Sequence, residues 1–221
     1  MRKLSAVCIC ASVIGMMVHV APARADFIAG NLGATVNGYG TVNGSGLALQ
    51  YAQEFTTGSS AKTLTDIEVA LGSASGAFTA GAELVTDNAG TPSSTMLTSI
   101  TVPTIGSGFS DLTLTPTSSV VLSPNTDYWL ILKASGTGTY EWDYTNTLNS
   151  ALPLFAVSTD NGSTWSSGTG PFLIQVDGTT PAAAVPEPAS FNIGLAALSV
   201  VGLGLWKKHR SAPHRAEGKA G

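Results

Sequence analysis

Short apolar or alternating runs, separated by glycine, serine and threonine, fill the chain between residues 48 and 177. No stretch of about 12 residues has the i, i+3, i+4, i+7 spacing of an amphipathic helix, whereas alternation with period two is typical of strands. Strands at this spacing favour an all-β ectodomain, folded as an antiparallel β-sandwich of the jelly-roll kind. The predicted strands are 48–56, 63–71, 82–86, 96–102, 111–115, 128–134, 139–144, 153–158 and 172–177.

Alternation within 63–71 also predicts which face of that strand is buried. Ile67 and Val69 share one face, while Leu64 and Asp66 share the other. Because successive side chains of a strand point to opposite faces, we expect the Ile67 face to point into the core.

The segment 128–133 is apolar on both faces and therefore predicts a central strand. Turn residues lie at 57–60, 87–92, 123–125 and 160–162. Glycine, asparagine and aspartate tolerate positive φ there, and proline presets a turn.

The four-residue sequence Thr-Val-Asn-Gly is repeated, at 35–38 and at 41–44. Two copies are too few for a solenoid, and Asn-Gly is a strong turn signal. We interpret this segment as a turn-rich edge of the fold.

The N-terminus predicts a secretory signal peptide over 1–25. Two cationic residues precede the mostly apolar stretch 4–20, and Ala23 and Ala25 form the small-x-small pattern that signal peptidase accepts. We expect cleavage after Ala25.

The exported part would lack two reactive side-chain types. Both cysteines, Cys8 and Cys10, lie in the signal peptide, and the three histidines lie outside 26–184. This excludes disulfides, a thiolate nucleophile, a cysteine-containing zinc site and a Ser-His-Asp triad there. We predict no catalytic residue, no metal and no cofactor.

The exported part is also strongly acidic. Between 26 and 184 there are two lysines and twelve acidic residues, a net charge of −10 that basic ends reduce to −4 for the whole chain. Phosphate contacts need clustered cations, so nucleic acid is excluded as a partner.

The C-terminal region contains an uncharged apolar run at 190–206. As a helix it would be about 26 Å long at ~1.5 Å per residue, close to a thin bilayer's hydrocarbon core. Lys207, Lys208 and Arg210 follow directly, and positive flanks stay on the cytoplasmic side. We therefore predict one transmembrane helix and a cytoplasmic tail at 211–221.

Pro186, Glu187 and Pro188, the apolar run and the basic cluster together resemble the PEP-CTERM sorting signal of Gram-negative bacteria that secrete exopolysaccharide. The resemblance covers 186–210, with 178–185 as a linker. It implies that an exosortase, a membrane-embedded cysteine transpeptidase, cuts near the Pro-Glu-Pro motif. The tail after the cluster is longer than usual. The alternative is an ordinary single-pass anchor.

A second resemblance covers the middle of the chain, within the ectodomain 26–177. It rests on short segments at 31–33, 53–58, 64–69, 87–92, 128–130 and 155–165. These segments resemble the choice-of-anchor R domain, and the resemblance implies an exported β-rich surface module with no established activity.

Residues 158–165 match the Asp-box pattern Ser-x-Asp-x-Gly-x-Thr-Trp. An aspartate in such a turn accepts backbone N–H bonds, and the tryptophan covers the turn. A single copy favours a hairpin-stabilising role over a catalytic one. Calcium binding by Asp87 or Asp160 is a weaker alternative, because neither turn has the acid density of a dedicated loop.

The predicted strand 139–144 offers two candidate sites. Tyr140, Trp142 and Tyr144 share one face, either as a platform for stacking on sugar rings or, as we favour, as part of the core. Glu141 and Asp143 share the other face, exposed to solvent or, less favoured, as a glycosidase pair.

Taken together, these patterns predict an exported cell-surface or extracellular-matrix protein of structural or adhesive type, held transiently in the inner membrane before processing. A module that binds carbohydrate, such as exopolysaccharide, is the alternative, and a glycoside hydrolase is the weaker one.

Overall fold

The computed structural model describes residues 25–44 and 48–181, which belong to the compact unit Met1–Pro181. This part of the chain has thirteen strands and no helix. The strands are Asp26–Gly30 (β1), Gly38–Asn43 (β2), Gln50–Thr56 (β3), Lys62–Ser75 (β4), Phe78–Asp87 (β5), Pro92–Thr101 (β6), Ser110–Pro116 (β7), Val121–Leu122 (β8), Asp127–Gly136 (β9), Thr139–Tyr144 (β10), Phe155–Ser158 (β11), Ser166–Gly168 (β12) and Ile174–Thr179 (β13).

The strands form one open antiparallel sheet, which confirms the predicted all-β class. The hydrogen-bonded order is β1-β13-β4-β7-β6-β5-β9-β3-β11-β12. Beside this path, β10 pairs with β2 and β4, and β8 pairs with β4. The strand pairing alone does not divide the strands into two sheets, so the sandwich stays a prediction.

Strand β4 is the longest strand and pairs with four others. Along one edge it pairs first with β13 and then with β10, and along the other with β8 and then β7. Its 14 residues are long enough to serve two shorter partners on each edge. Strand β4 therefore connects four strands from separate parts of the chain.

A β-bulge at Thr65 changes the alternation of β4. Asp177 pairs with Asp66, but the next residue, Gly178, pairs with Leu64, so Thr65 is an extra residue. An extra residue inverts the alternation, and Leu64 turns into the core, where it is buried. The prediction that Leu64 faces away from the core is wrong for this reason.

The main hydrophobic core joins side chains from distant parts of the sheet. Ile67 and Val69 of β4 pack in the same cluster as Leu130 and Leu132 of β9, and all four are fully buried. Trp129 belongs to a second, smaller cluster. Strand β9 lies between β3 and β5, so the predicted central strand and the inward Ile67 face are confirmed.

All nine predicted strands overlap an observed one, whereas β1, β2, β8 and β12 were not predicted. Strands β8 and β12 have only two and three residues, too few for an alternation to show. The turn-rich interpretation of 35–44 is wrong for β2, a glycine-containing strand that pairs with β10 over six residues.

Several predicted features lie outside the described residues. These are the signal peptide up to residue 24, with Ala23, and everything from 182 onward, including Pro186, Glu187 and Pro188. The apolar run 190–206 and its basic cluster lie there too. Among the described residues, no helix is long and apolar enough to span a membrane.

Replacing Ile67 by alanine tests the role of β4. Ile67 is fully buried, and such a truncation costs about 2–5 kcal/mol through lost burial and a residual cavity. Val121→Ala is the control, because Val121 is 59% exposed on β8 and should change stability by less than about 0.5 kcal/mol. Urea unfolding measures the free energy of unfolding of both variants. An equal loss of stability in the two would contradict this assignment of the core.

Candidate functional site

Tyr140 and Trp142 of β10 are core residues. Both are fully buried. The Tyr140 hydroxyl donates to the backbone oxygen of Lys133 at 3.1 Å, and the Trp142 indole N–H donates to that of Leu173 at 3.0 Å. The favoured interpretation of this face as core is therefore confirmed for Tyr140 and Trp142. The alternative, a sugar platform, is not formed by the three rings together, because only Tyr144 is partly exposed.

The acids on the other face of β10 differ in exposure. Glu141 is half-buried, but Asp143 is only 6% exposed. Burial raises the pKa of Asp143, and the nearby Glu141 and Asp111 carboxylates add to this increase. The expectation that both acids lie in solvent is thus wrong for Asp143, and a hydrolytic pair stays a prediction.

The Asp-box turn is held by its own hydrogen bonds. The Asp160 carboxylate accepts the backbone N–H of Thr164 at 2.8 Å and its hydroxyl at 2.6 Å, and also receives the Ser158 hydroxyl at 2.8 Å. These bonds hold the pKa of Asp160 at about 2. Asn161 and Gly162 have positive φ, as the turn pattern predicts. Such hydrogen bonds within the turn are expected of an aspartate that stabilises the turn itself.

The Asp87 carboxylate is likewise occupied within the protein. It accepts the backbone N–H of Gly90 at 3.0 Å and the indole N–H of Trp129 at 2.9 Å. Through the second bond, Asp87 joins its turn to the central strand β9. In the described part of the chain, no group of three histidine, cysteine, aspartate or glutamate residues could hold a metal ion.

Glu54 is a buried acid on β3 that sequence patterns did not single out. It is 4% exposed, and its Oε2 has no hydrogen-bond partner among the described residues. Burial raises its pKa to about 7, and the Asp127 and Asp87 carboxylates contribute to the increase. Glu54 therefore changes charge near neutral pH.

An aromatic pocket of about 360 Å³ lies where β2, β3, β10 and β11 meet the segment before β13. This volume is within the range of small-ligand sites. Tyr144 is the one residue of the alternative sugar platform that lines this pocket. The pocket is defined by Tyr39, Tyr51, Tyr144, Phe155 and Phe172, with Gly40, Asn146, Val157, Thr169 and Gly170 completing its lining.

Phe172 is the centre of the aromatic pocket. The rings of Tyr51, Phe155 and Tyr144 stand nearly perpendicular to it, with centroids 5.2, 5.6 and 6.2 Å away. Trp142 stacks on it at 4.5 Å. Phe172 itself is 2% exposed, so it supports the other rings rather than facing solvent. The pocket is thus anchored to the core.

Glycine at position 40 keeps this space open. A Cβ there would lie 2.9 Å from the Phe172 ring and 3.0 Å from the Tyr51 ring, closer than Cβ atoms approach other groups. Asn146 and Thr169 are exposed and add an amide and a hydroxyl to the lining, which contains no charged residue. The pocket therefore combines ring surfaces with neutral polar groups.

A second depression is larger but shallower. It has a volume of about 570 Å³ and is lined mostly by polar and small residues between β1 and the 147–150 segment. Its two largest exposed apolar side chains, Phe27 and Leu148, are 62% and 74% exposed, so it is an open surface with little enclosure. The aromatic pocket is the better candidate for a ligand site.

Comparison with known proteins adds one finding at the C-terminus. Residues 184–208 match the family model described as the PEP-CTERM protein-sorting motif. No curated protein matches the chain. The match agrees with the resemblance found at 186–210, while the choice-of-anchor R resemblance of the ectodomain stays a prediction.

Removing the Asp160 carboxylate should reveal a pH-dependent contribution to stability. Its folded pKa, about 2, lies below the ordinary 3.8, so this contribution is present above about pH 4 and is lost as the pH falls toward 2. We expect Asp160→Ala to lower Tm at pH 7, with the deficit shrinking between pH 4 and 2. Thr159→Ala, an exposed neighbour, should leave Tm unchanged. A deficit independent of pH would contradict this role.

The contribution of Glu54 to stability should depend on pH in the opposite direction to that of Asp160. Its folded pKa is raised from 4.5 to about 7, so the native state binds more protons than the unfolded state between these values. Stability should therefore fall as the pH rises through this window. We expect Tm to fall less with increasing pH in Glu54→Gln than in the wild-type protein. Tm is measured at half-unit intervals from pH 4.5 to 8. The control Glu68→Gln should keep the wild-type slope, and an unchanged slope in Glu54→Gln would refute the assignment.

Proposed function

We propose that this chain is an exported cell-surface or extracellular-matrix protein of structural or adhesive type, released or transferred by an exosortase. The observation that carries the proposal is the match of residues 184–208 to the PEP-CTERM protein-sorting motif. That motif implies export, transient membrane anchoring and exosortase processing. The β-rich domain upstream is the part that would reach the cell surface.

The sorting signal acts as a substrate in this proposal. Pro186, Glu187 and Pro188 are recognised and cut, the run 190–206 spans the inner membrane, and the basic cluster that begins at Lys207 keeps the tail cytoplasmic. Signal peptidase removes the first 25 residues. Strand β13 extends to Thr179, so the linker predicted at 178–185 begins after that residue. The remaining residues up to 185 would let the exosortase reach its cleavage site without unfolding the domain.

We propose no catalytic role for the ectodomain. Support comes from four of its twelve acids. Asp87 and Asp160 are engaged in turn hydrogen bonds, and Glu54 and Asp143 are buried. The sequence also has no cysteine or histidine at 26–184. Common nucleophile and base pairs therefore lack a member.

A sandwich-like arrangement of the ectodomain fits this role. Support comes from the core, where β4 side chains pack in one cluster with β9 side chains although the two strands are not hydrogen-bonded to each other. A sheet that folds over on itself brings such strands face to face.

The proposal is tested on protein recovered from native cells and medium, with and without the host exosortase. We expect intact mass and terminal sequencing to give a species that starts at Asp26 and ends near Pro186–Pro188, and that disappears without the exosortase. Glu187→Ala should abolish this cleavage because it removes the charged centre of the motif.

The matched control is Glu217→Ala, which removes the other C-terminal acid and should leave cleavage unchanged. A species that retains Trp206 and the basic cluster in both strains would indicate a plain membrane anchor instead. In that case the proposed processing would be refuted.

A further inference from the structure

We propose that the aromatic pocket binds a neutral saccharide, with sugar rings packed against Tyr51, Tyr144 and Phe155. This inference deepens the proposed surface or matrix role and rests on it. It assigns the domain a ligand class at a different site, and Tyr144 is the one residue that this site has in common with the sugar platform that the sequence left as an alternative.

Two tyrosine hydroxyls of the pocket have no hydrogen-bond partner within the described part of the protein. The buried hydroxyls of Tyr128 and Tyr140 have partners within the protein, at 2.9 and 3.1 Å. Those of Tyr51 and Tyr144 take part in no hydrogen bond among the described residues. Both tyrosines are only half-buried, so their hydroxyls can reach a ligand. Partly exposed hydroxyls beside ring surfaces can donate to and accept from a ligand, so the pocket suits a ligand with hydroxyl groups better than a purely apolar one.

Buried packing holds the rings that line the pocket. Tyr51 and Phe155 stand nearly perpendicular to the buried Phe172, at interplanar angles of 65° and 86°. They are held there by the core through the stacked Trp142. Rigid aromatic walls with polar edges bind amphipathic groups at low cost in conformational entropy. A pyranose has this character, with C–H groups on its faces and hydroxyls around its rim.

The uncharged lining of the pocket and the negative charge of the domain favour a neutral ligand over a charged one. None of the residues that line the pocket is charged, so a cation would find no carboxylate partner there. The exported part carries a net charge of −10, which repels polyanions such as uronate polymers. Asn146 and Thr169 offer an amide and a hydroxyl, the groups that pair with sugar hydroxyls.

The binding test uses the full chain, purified in a polyoxyethylene detergent because a maltoside headgroup is itself a sugar. Calorimetry is run with neutral hexasaccharides of glucose, mannose, xylose and N-acetylglucosamine. A polyuronate and choline serve as probes for the other ligand classes. We expect at least one neutral hexasaccharide to bind, and neither charged probe.

Two variants locate the site. Tyr144→Ala should weaken binding roughly tenfold or more, the change that about 1.4 kcal/mol produces. The double variant Tyr51→Phe/Tyr144→Phe keeps both rings and the fold but removes the hydroxyls, and should weaken saccharide binding several-fold. Phe27→Ala removes an exposed ring outside the pocket and should leave the affinity unchanged. Circular dichroism and Tm confirm folding.

Binding of none of the neutral sugars, or binding of choline or polyuronate in the pocket, would overturn the proposal. So would a double variant, folded and of wild-type affinity. Because the full chain is used, the outcome does not depend on exosortase cleavage. Failure of processing and failure of sugar binding are therefore separate results.

Discussion

The pairing of β4 with strands on both of its edges is the constraint on which the rest of the fold depends. Its first half is hydrogen-bonded to β13 and β8, and its second half to β10 and β7. Since these partners come from widely separated parts of the chain, their register is determined by one strand. The bulge at Thr65 then adds Leu64 to the core cluster that Ile67 already occupies.

The aromatic pocket is a continuation of that core. Trp142 pairs opposite Leu71 of β4, and its ring stacks on Phe172. Phe172 in turn fixes the rings that are open to solvent. The candidate ligand site therefore gains its rigidity from buried packing, and its polar character from tyrosine hydroxyls and the short segments around Asn146 and Thr169.

Much of the strand arrangement and of the core could be predicted from alternation. A strand with one buried face has apolar residues at every second position, and this pattern is visible in the sequence. Ile67 and the central strand around Leu130 show this clearly. Strand β2 was missed because glycines interrupt its pattern, and Leu64 because a bulge leaves no sequence signal. The aromatic pocket could not be predicted, since its rings lie on four strands and one connecting segment that only the folded sheet brings together.

The two ends of the described domain lie side by side. Asp26 of β1 pairs with Gly178 of β13, and Lys62 of β4 contacts both Asp26 and Thr180, at 2.7 and 3.1 Å. Any pull transmitted through the C-terminal connection would act along β13, which is hydrogen-bonded on one edge to β1 and on the other to β4. Antiparallel hydrogen bonds run across the strands, so such a load shears many of them at once. A force directed along β13 would therefore be opposed by both neighbouring strands.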